Sequence, residues 1–252
     1  MRRRDLLRSA AVPAVAGALG LGGTAFAADA ASRPTAAARP AAAARTKPLR
    51  IQVVMFDGVE EQDFIGPYEV FSAAKRFRGA PVETTYVALD GPRTVEAAYG
   101  TKIAVEHGWA PETADVLVVP GGGSEVKEGV PGVDQEVRRG ALPRAIAAAK
   151  RPGLTIAGVC TGAFLLSAAG ITKGRPCTTH HKLKDQLQKQ GGLIHNARVV
   201  DDGDLVTSGG ITSGIDLALW IVQRELGSDL AVDMEDILEH ERRGAVWRSA
   251  TA

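Results

Sequence analysis

The stretch Leu154-Thr155-Ile156-Ala157-Gly158-Val159-Cys160-Thr161-Gly162-Ala163-Phe164-Leu165-Leu166 decides the fold. A short apolar run leads into a turn between two glycines, and a helix-like run of small and apolar residues follows. This is strand, tight turn, helix, with a thiol at the turn. The layout is that of a nucleophile elbow with Cys in place of Ser. Glycine on both sides lets the chain reverse sharply and pushes the side chain out over the sheet edge. The N–H groups of the following helix then face whatever the sulfur attacks. The same helix end favours thiolate over thiol, so a lowered Cys160 pKa is expected. The plain alternative is a buried Cys filling a core. A filler needs neither glycine, which favours the nucleophile.

Working outward, short apolar runs alternate with helical stretches. Strands are expected at 49–56, 82–89, 116–119, 154–159 and 176–179, and a hairpin or irregular excursion at 95–105. Helices are expected at 64–77, with Phe64, Val70, Phe71 and Phe77 near one stripe, and at 133–149, interrupted by Gly140 and Pro143. Further helices are expected at 181–190, at 215–226 and from about Leu230. Asp202-Gly203, between runs 198–201 and 205–208, is a hairpin-turn signal. The alternation predicts a single-domain α/β fold, a doubly wound, mainly parallel sheet of flavodoxin-like type. In such sheets ligands bind beyond the carboxyl ends of the strands.

Of 252 residues, 45% are hydrophobic and 23% charged, the balance of an ordinary globular chain. A net charge of +1 gives no bulk electrostatic case for nucleic acid as a partner. The two cysteines, Cys160 and Cys177, form no CxxC, and none of the five histidines lies in HExxH spacing. No disulfide framework, metal or cofactor is therefore expected.

The N-terminus opens Arg2-Arg3-Arg4-Asp5-Leu6-Leu7-Arg8, continues through a weakly apolar run and reaches Ala25-Phe26-Ala27, a small-x-small cleavage site. Paired arginines before Leu-Leu read as a twin-arginine export signal over residues 1–27. Pro13 and the glycines make the run too weak for a membrane helix, so no membrane anchor is expected after cleavage. Cleavage removes four Arg and one Asp, taking the formal charge from +1 to −2. The expected location is periplasmic or extracellular. Residues 28–48 are Ala/Pro/Arg low complexity and read as a disordered linker. Residues 49–230 read as the folded domain, and 231–252 as a C-terminal helix and tail.

Three features fall at predicted strand ends. Asp63 lies against Phe64 and Ile65, where a desolvated carboxyl has a raised pKa and can carry protons near neutral pH. It reads equally well as a helix N-cap. Gly121, Gly122 and Gly123 follow a strand and could present N–H groups as an oxyanion hole, or form a mere turn. His180 or His181 could orient or deprotonate Cys160, and for one of the two a surface position must hold. Cys177 reads as core filler.

Five blocks occur in a known order: 55–71 (MFDGVEEQDFIGPYEVF), 118–123 (VVPGGG), 158–170 (GVCTGAFLLSAAG), 178–181 (TTHH) and 199–219 (VVDDGDLVTSGGITSGIDLAL). They resemble the PfpI-like superfamily of class I glutamine amidotransferase-like folds. Within it they are most similar to the isonitrile hydratase branch and to the amidase-like domains of certain transcription regulators. Asp63 on the loop after the first strand and Thr161 after Cys160 match the hydratase branch. The His-x-Glu pair of glutamine amidotransferases is lacking. The resemblance implies Cys160, Asp63 and Thr161 as catalytic, and Gly121, Gly122, Gly123 and Gly66 as oxyanion- or substrate-binding, with His180 auxiliary. It implies a small-molecule substrate and a homodimer. The reaction implied is hydration of an isonitrile through a covalent thioimidate. The alternatives are another cysteine hydrolase such as an amidase, a stress-protective thiol protein, or a non-catalytic ligand-binding module.

Overall fold

The computed structural model describes residues 47–123 and 129–250. The expected signal over 1–27, and the linker as far as residue 46, lie outside the described residues.

In chain order the elements are β1 (Leu49–Met55), α1 (Glu61–Arg78), β2 (Val82–Ala88), β3 (Arg93–Glu96), β4 (Lys102–Val105), β5 (His107–Gly108) and β6 (Val116–Val119). Next come α2 (Val133–Arg139), α3 (Ala141–Ala149), β7 (Thr155–Gly158), α4 (Gly162–Ala168), β8 (Pro176–Cys177), α5 (Lys184–Lys189) and β9 (Leu193–Ile194). The chain ends with β10 (Val199–Asp201), β11 (Leu205–Ser208), α6 (Ser213–Leu226), α7 (Ser228–Leu238) and β12 (Trp247–Arg248).

One sheet runs β12-β10-β11-β7-β6-β1-β2-β5. Every neighbouring pair is parallel except β10–β11, the hairpin that Asp202-Gly203 turns. The fold is therefore the expected α/β type with a mainly parallel sheet. At its centre β6 is an uninterrupted apolar run, because both faces are covered. Val53, Val54, Leu117, Val118 and Ala157 have no exposed surface. The helices that cover them pack in two groups, α1 with α6 and α7, and α2 with α3 and α4.

Local chemistry explains the breaks. Gly140 takes φ +68, ends α2 and opens α3, whereas Pro143 sits inside the first turn of α3, where its missing N–H is no loss. The stripe of α1 buries Phe64, Val70 and Phe71. Phe77, expected beside them, is instead 57% exposed, like the rest of the last turn of α1. Arg93 to Val105 forms the antiparallel β3–β4 hairpin, held to the end of β1 by Asp57, which accepts from Arg93 and from the Glu96 N–H. The boundary expected at 230/231 falls inside α7, and the following segment returns to the sheet as β12 beside β10.

Candidate active site

The parallel strands β1, β6, β7 and β11 end on one edge of the sheet. Beyond that edge lies a cleft of about 990 Å³, with Cys160, Thr161, His180 and Ile211 in its wall and the β3–β4 hairpin along one side.

Cys160 follows β7 directly and has φ 54, a left-handed conformation that costs a non-glycine residue about 1–2 kcal/mol. Its surroundings hold it there. The Cys160 N–H donates to the Gly209 carbonyl at 3.0 Å, and the buried Thr179 hydroxyl donates to the Cys160 carbonyl at 2.7 Å. The flanking glycines have separate reasons. A Cβ on Gly162 would run into the carbonyls of Val119 and Pro120, and one on Gly158 would come within 2.8 Å of Leu166. The elbow is thus wedged between β6 and α4.

Asp63 is fully buried in the first turn of α1. It is not the cap of that helix. Glu60 is the cap, and its carboxylate accepts the Asp63 N–H at 2.9 Å. The Asp63 side chain instead reaches across to the end of β6, where Oδ2 accepts the Gly121 N–H at 2.9 Å. Burial first, and the Glu60 charge second, push the Asp63 carboxyl well above the usual carboxylate range. Of the neighbouring side chains, Glu60 raises it further and Cys160 lowers it.

The glycine loop works differently from expectation. The Gly121 N–H is taken by Asp63, and the Gly122 N–H donates to Thr161 Oγ1 at 2.9 Å. Neither is left for a substrate oxyanion. Gly121 is glycine because a Cβ would come within 2.6 Å of Asp63 Oδ2 and 2.7 Å of Thr161 N. The donors that do face the sulfur are the N–H groups of Ile211 and Thr161. Gly122 and Gly123 line the cleft, as does Thr161. Gly66 does not. It faces Ile215 at the contact of α1 with α6, where a Cβ would sit 3.1 Å from that side chain.

The thiol also departs from expectation. Burial, then the Asp63 charge, push Cys160 up to about 12 against the N–H donors that pull it down. The helix that was expected to favour thiolate, α4, has only seven residues. Burial thus favours the thiol form of Cys160, beside the raised Asp63 carboxyl. Cys177 is buried as core filler, and among the described residues no cluster suits a metal ion.

Of the two histidines, His180 lines the cleft, packed on Gly210, while His181 is exposed. Burial and the charges of His181 and Lys182 hold His180 below its usual pKa. Its Nδ1 accepts the Lys182 N–H at 3.4 Å, which leaves the proton on Nε2.

Sequence reasoning missed Glu60, Thr179 and the loop Gly209-Gly210-Ile211. Ile211 has φ 50, and its loop is anchored by Arg198, which donates to Thr212 Oγ1 at 2.9 Å and pairs with buried Asp216. The signal for this loop was present, since Gly209-Gly210 ends a strand as Gly121-Gly122 does.

The family model described as DJ-1/PfpI matches residues 49–224. The isonitrile hydratase of Pseudomonas putida is 33% identical over 192 residues, 76% of this chain and 78% of that protein. An HTH-type transcriptional regulator of Pseudomonas aeruginosa, CdhR, is 26% identical over 73% of this chain and 52% of its own length. The structure of Drosophila melanogaster DJ-1beta superposes with a TM-score of 0.65 at 22% identity, over 77% of this chain and all of that one. From the elbow, the matched span and these relatives together, the chain belongs to the DJ-1/PfpI family.

Proposed function

We propose that the protein hydrates an isonitrile, R–N≡C, to the N-substituted formamide. The observation that carries the reading is Cys160 on a strained elbow in the cleft wall, beside the fully buried Asp63 carboxyl that the Gly121 N–H pins. The terminal carbon of an isonitrile must gain both a nucleophile and a proton. A thiol with an adjacent carboxyl supplies both without first forming a free thiolate. The Cys160 sulfur bonds to that carbon, and the thiol proton passes through Asp63 to the same carbon. The product is a thioimidate, Cys160–S–CH=N–R. Water then adds to the carbon, nitrogen is protonated, and the C–S bond breaks to release the formamide and return a proton to sulfur. The N–H groups of Ile211 and Thr161 stabilise sulfur as charge develops on it in both steps. Thr161, the residue after the nucleophile, accepts the Gly122 N–H on its hydroxyl and is held in place by it.

The similarity to an isonitrile hydratase over three-quarters of both chains supports this reading. The test is a panel of isonitriles, amides and dicarbonyls with the wild-type protein and Cys160→Ser. Formamide from isonitriles alone, lost in Cys160→Ser, supports the reading. Turnover confined to amides or dicarbonyls overturns it.

We also propose export through Arg3-Arg4 with cleavage after Ala27, and a homodimer. Replacing both arginines by Lys should retain precursor inside the cell. A sedimentation measurement giving monomer at micromolar concentration would remove the dimer.

A further inference from the structure

We propose that Glu60 is a second proton carrier of this site, acting on the cleft side of the reacting C–N bond while Asp63 acts on the sulfur side. The inference rests on the hydratase reading above. That reaction moves protons at two places. One is the carbon bonded to sulfur, and the other is the nitrogen beyond it and the water that attacks. Asp63 serves the first. It has no exposed surface and takes no part in the cleft wall, so its reach ends at the Cys160 sulfur and the carbon bonded to it, short of the substrate nitrogen and the attacking water. Glu60 is half-buried and lines the cleft with Cys160 and Thr161.

The two carboxyls are held together by the backbone. Glu60 Oε2 accepts the Asp63 N–H at 2.9 Å, which folds the Glu60 side chain back over the first turn of α1. There its charge stands close enough to the Asp63 carboxyl to raise it. Two carboxyls held this close can share one proton and pass it from one residue to the other. A second observation points the same way. Asp63 Oδ1 is buried with no hydrogen-bond partner among the described residues. A buried, unpartnered carboxyl oxygen costs least when the group carries a proton. The choice of cap is telling as well. Ser, Thr, Asp or Asn would cap α1 well with a shorter side chain. Glutamate is long enough to cap and to stand in the cleft wall.

The proton balance closes without an outside acid. In the first step the thiol proton reaches carbon through Asp63, and the carboxyl pair ends with the single proton it began with. In the second, Glu60 gives that proton to the thioimidate nitrogen and takes one from the attacking water as the C–O bond forms. In the third, the remaining hydroxyl proton passes to the pair, the pair protonates sulfur, and the C–S bond breaks. Water has then supplied one oxygen and one nitrogen-bound hydrogen to the formamide, and one proton to the thiol.

Rapid quench with intact-mass detection tests the assignment, using benzyl isonitrile with wild-type protein, Glu60→Gln, Glu60→Ser and Asp63→Asn. Gln and Ser both keep an oxygen to cap the helix, and neither carries a proton between carboxyls. Both Glu60 variants should melt near the wild type and form the Cys160 adduct, one isonitrile heavier, in a burst. Formamide release should then slow by about 10²-fold, the lower range for a lost acid–base group. Asp63→Asn should instead be slow to form the adduct. Wild-type release rates without adduct in the Glu60 variants overturn the role of Glu60 alone. So does adduct formation slowed in them as much as in Asp63→Asn. A wild-type protein giving neither adduct nor formamide overturns the hydratase reading and this assignment together.

Discussion

Asp63 Oδ2 accepts the N–H of Gly121, a residue 58 positions later, at 2.9 Å. One bond thus joins the first turn of α1 to the end of β6, and it occupies a donor of the glycine run. It also fixes the carboxyl against the elbow. The site is therefore built of side chains held by backbone donors, with the donors at the sulfur coming from Thr161 and Ile211.

Asp63→Asn should keep the fold and lose about 10²–10⁴-fold in turnover, the range of a general acid–base group. Its effect on stability depends on pH in a set direction. A carboxyl whose folded pKa is raised above an unfolded value of about 3.9 adds stability that is complete below that pH and is lost as pH rises toward the folded value. Asn titrates nowhere in this range. Melting temperature of Asp63→Asn relative to wild type should thus rise from pH 4 to pH 8. A constant difference across that range would contradict the buried, raised carboxyl.

Alkylation reads the thiol. With Cys160 pushed up to about 12, iodoacetamide should label it more slowly at pH 7 than a free thiol of reference pKa about 8.5, and the rate should still be climbing at pH 10. Asp63→Asn removes one of the charges that raise Cys160, so labelling at pH 8 should accelerate several-fold even as turnover falls. Labelling that plateaus below pH 8 would show a resting thiolate instead.

Gly121→Ala should abolish activity and destabilise the protein by about 1–3 kcal/mol, the usual result of overpacking. The added methyl group meets Asp63 Oδ2 and Thr161 N, neither of which can retreat without breaking the site. Chemical denaturation and an activity assay on the same preparation check it. A stable, active Gly121→Ala protein would mean that the loop yields.

Thr179→Val removes the hydroxyl that donates to the Cys160 carbonyl. The loss should be about 1 kcal/mol of stability, with a further fall in kcat because the elbow is less firmly held. Full activity would show that Gly209 and the flanking glycines hold the elbow without it.

Much of this was legible in the sequence. The glycines around Cys160, the buried runs of β1 and β6 and the Asp202-Gly203 turn each have one local explanation, and each folds accordingly. Asp63 was ambiguous because capping and catalysis both favour a carboxylate at a helix start. Only the side-chain direction separates them, and a neighbouring residue, Glu60, turned out to take the cap. The raised Cys160 pKa was hidden because the helix end is visible in sequence while the depth of burial is not. Gly66 looked like a site glycine because it lies in the same block as Asp63, but a helix turn points it at Ile215. Ile211 was missed because the hairpin turn before β11 drew the reading to the wrong end of that strand.

The most direct test of the account follows the terminal carbon. An isonitrile carrying carbon-13 at that position, mixed with excess enzyme, should give a signal for carbon bonded to the Cys160 sulfur and nitrogen, then the formyl carbon of the free formamide. Cys160→Ser should give neither. Formamide appearing at the wild-type rate in Cys160→Ser, or with no sulfur-bound carbon before it on any timescale that resolves turnover, would contradict covalent hydration at this cysteine.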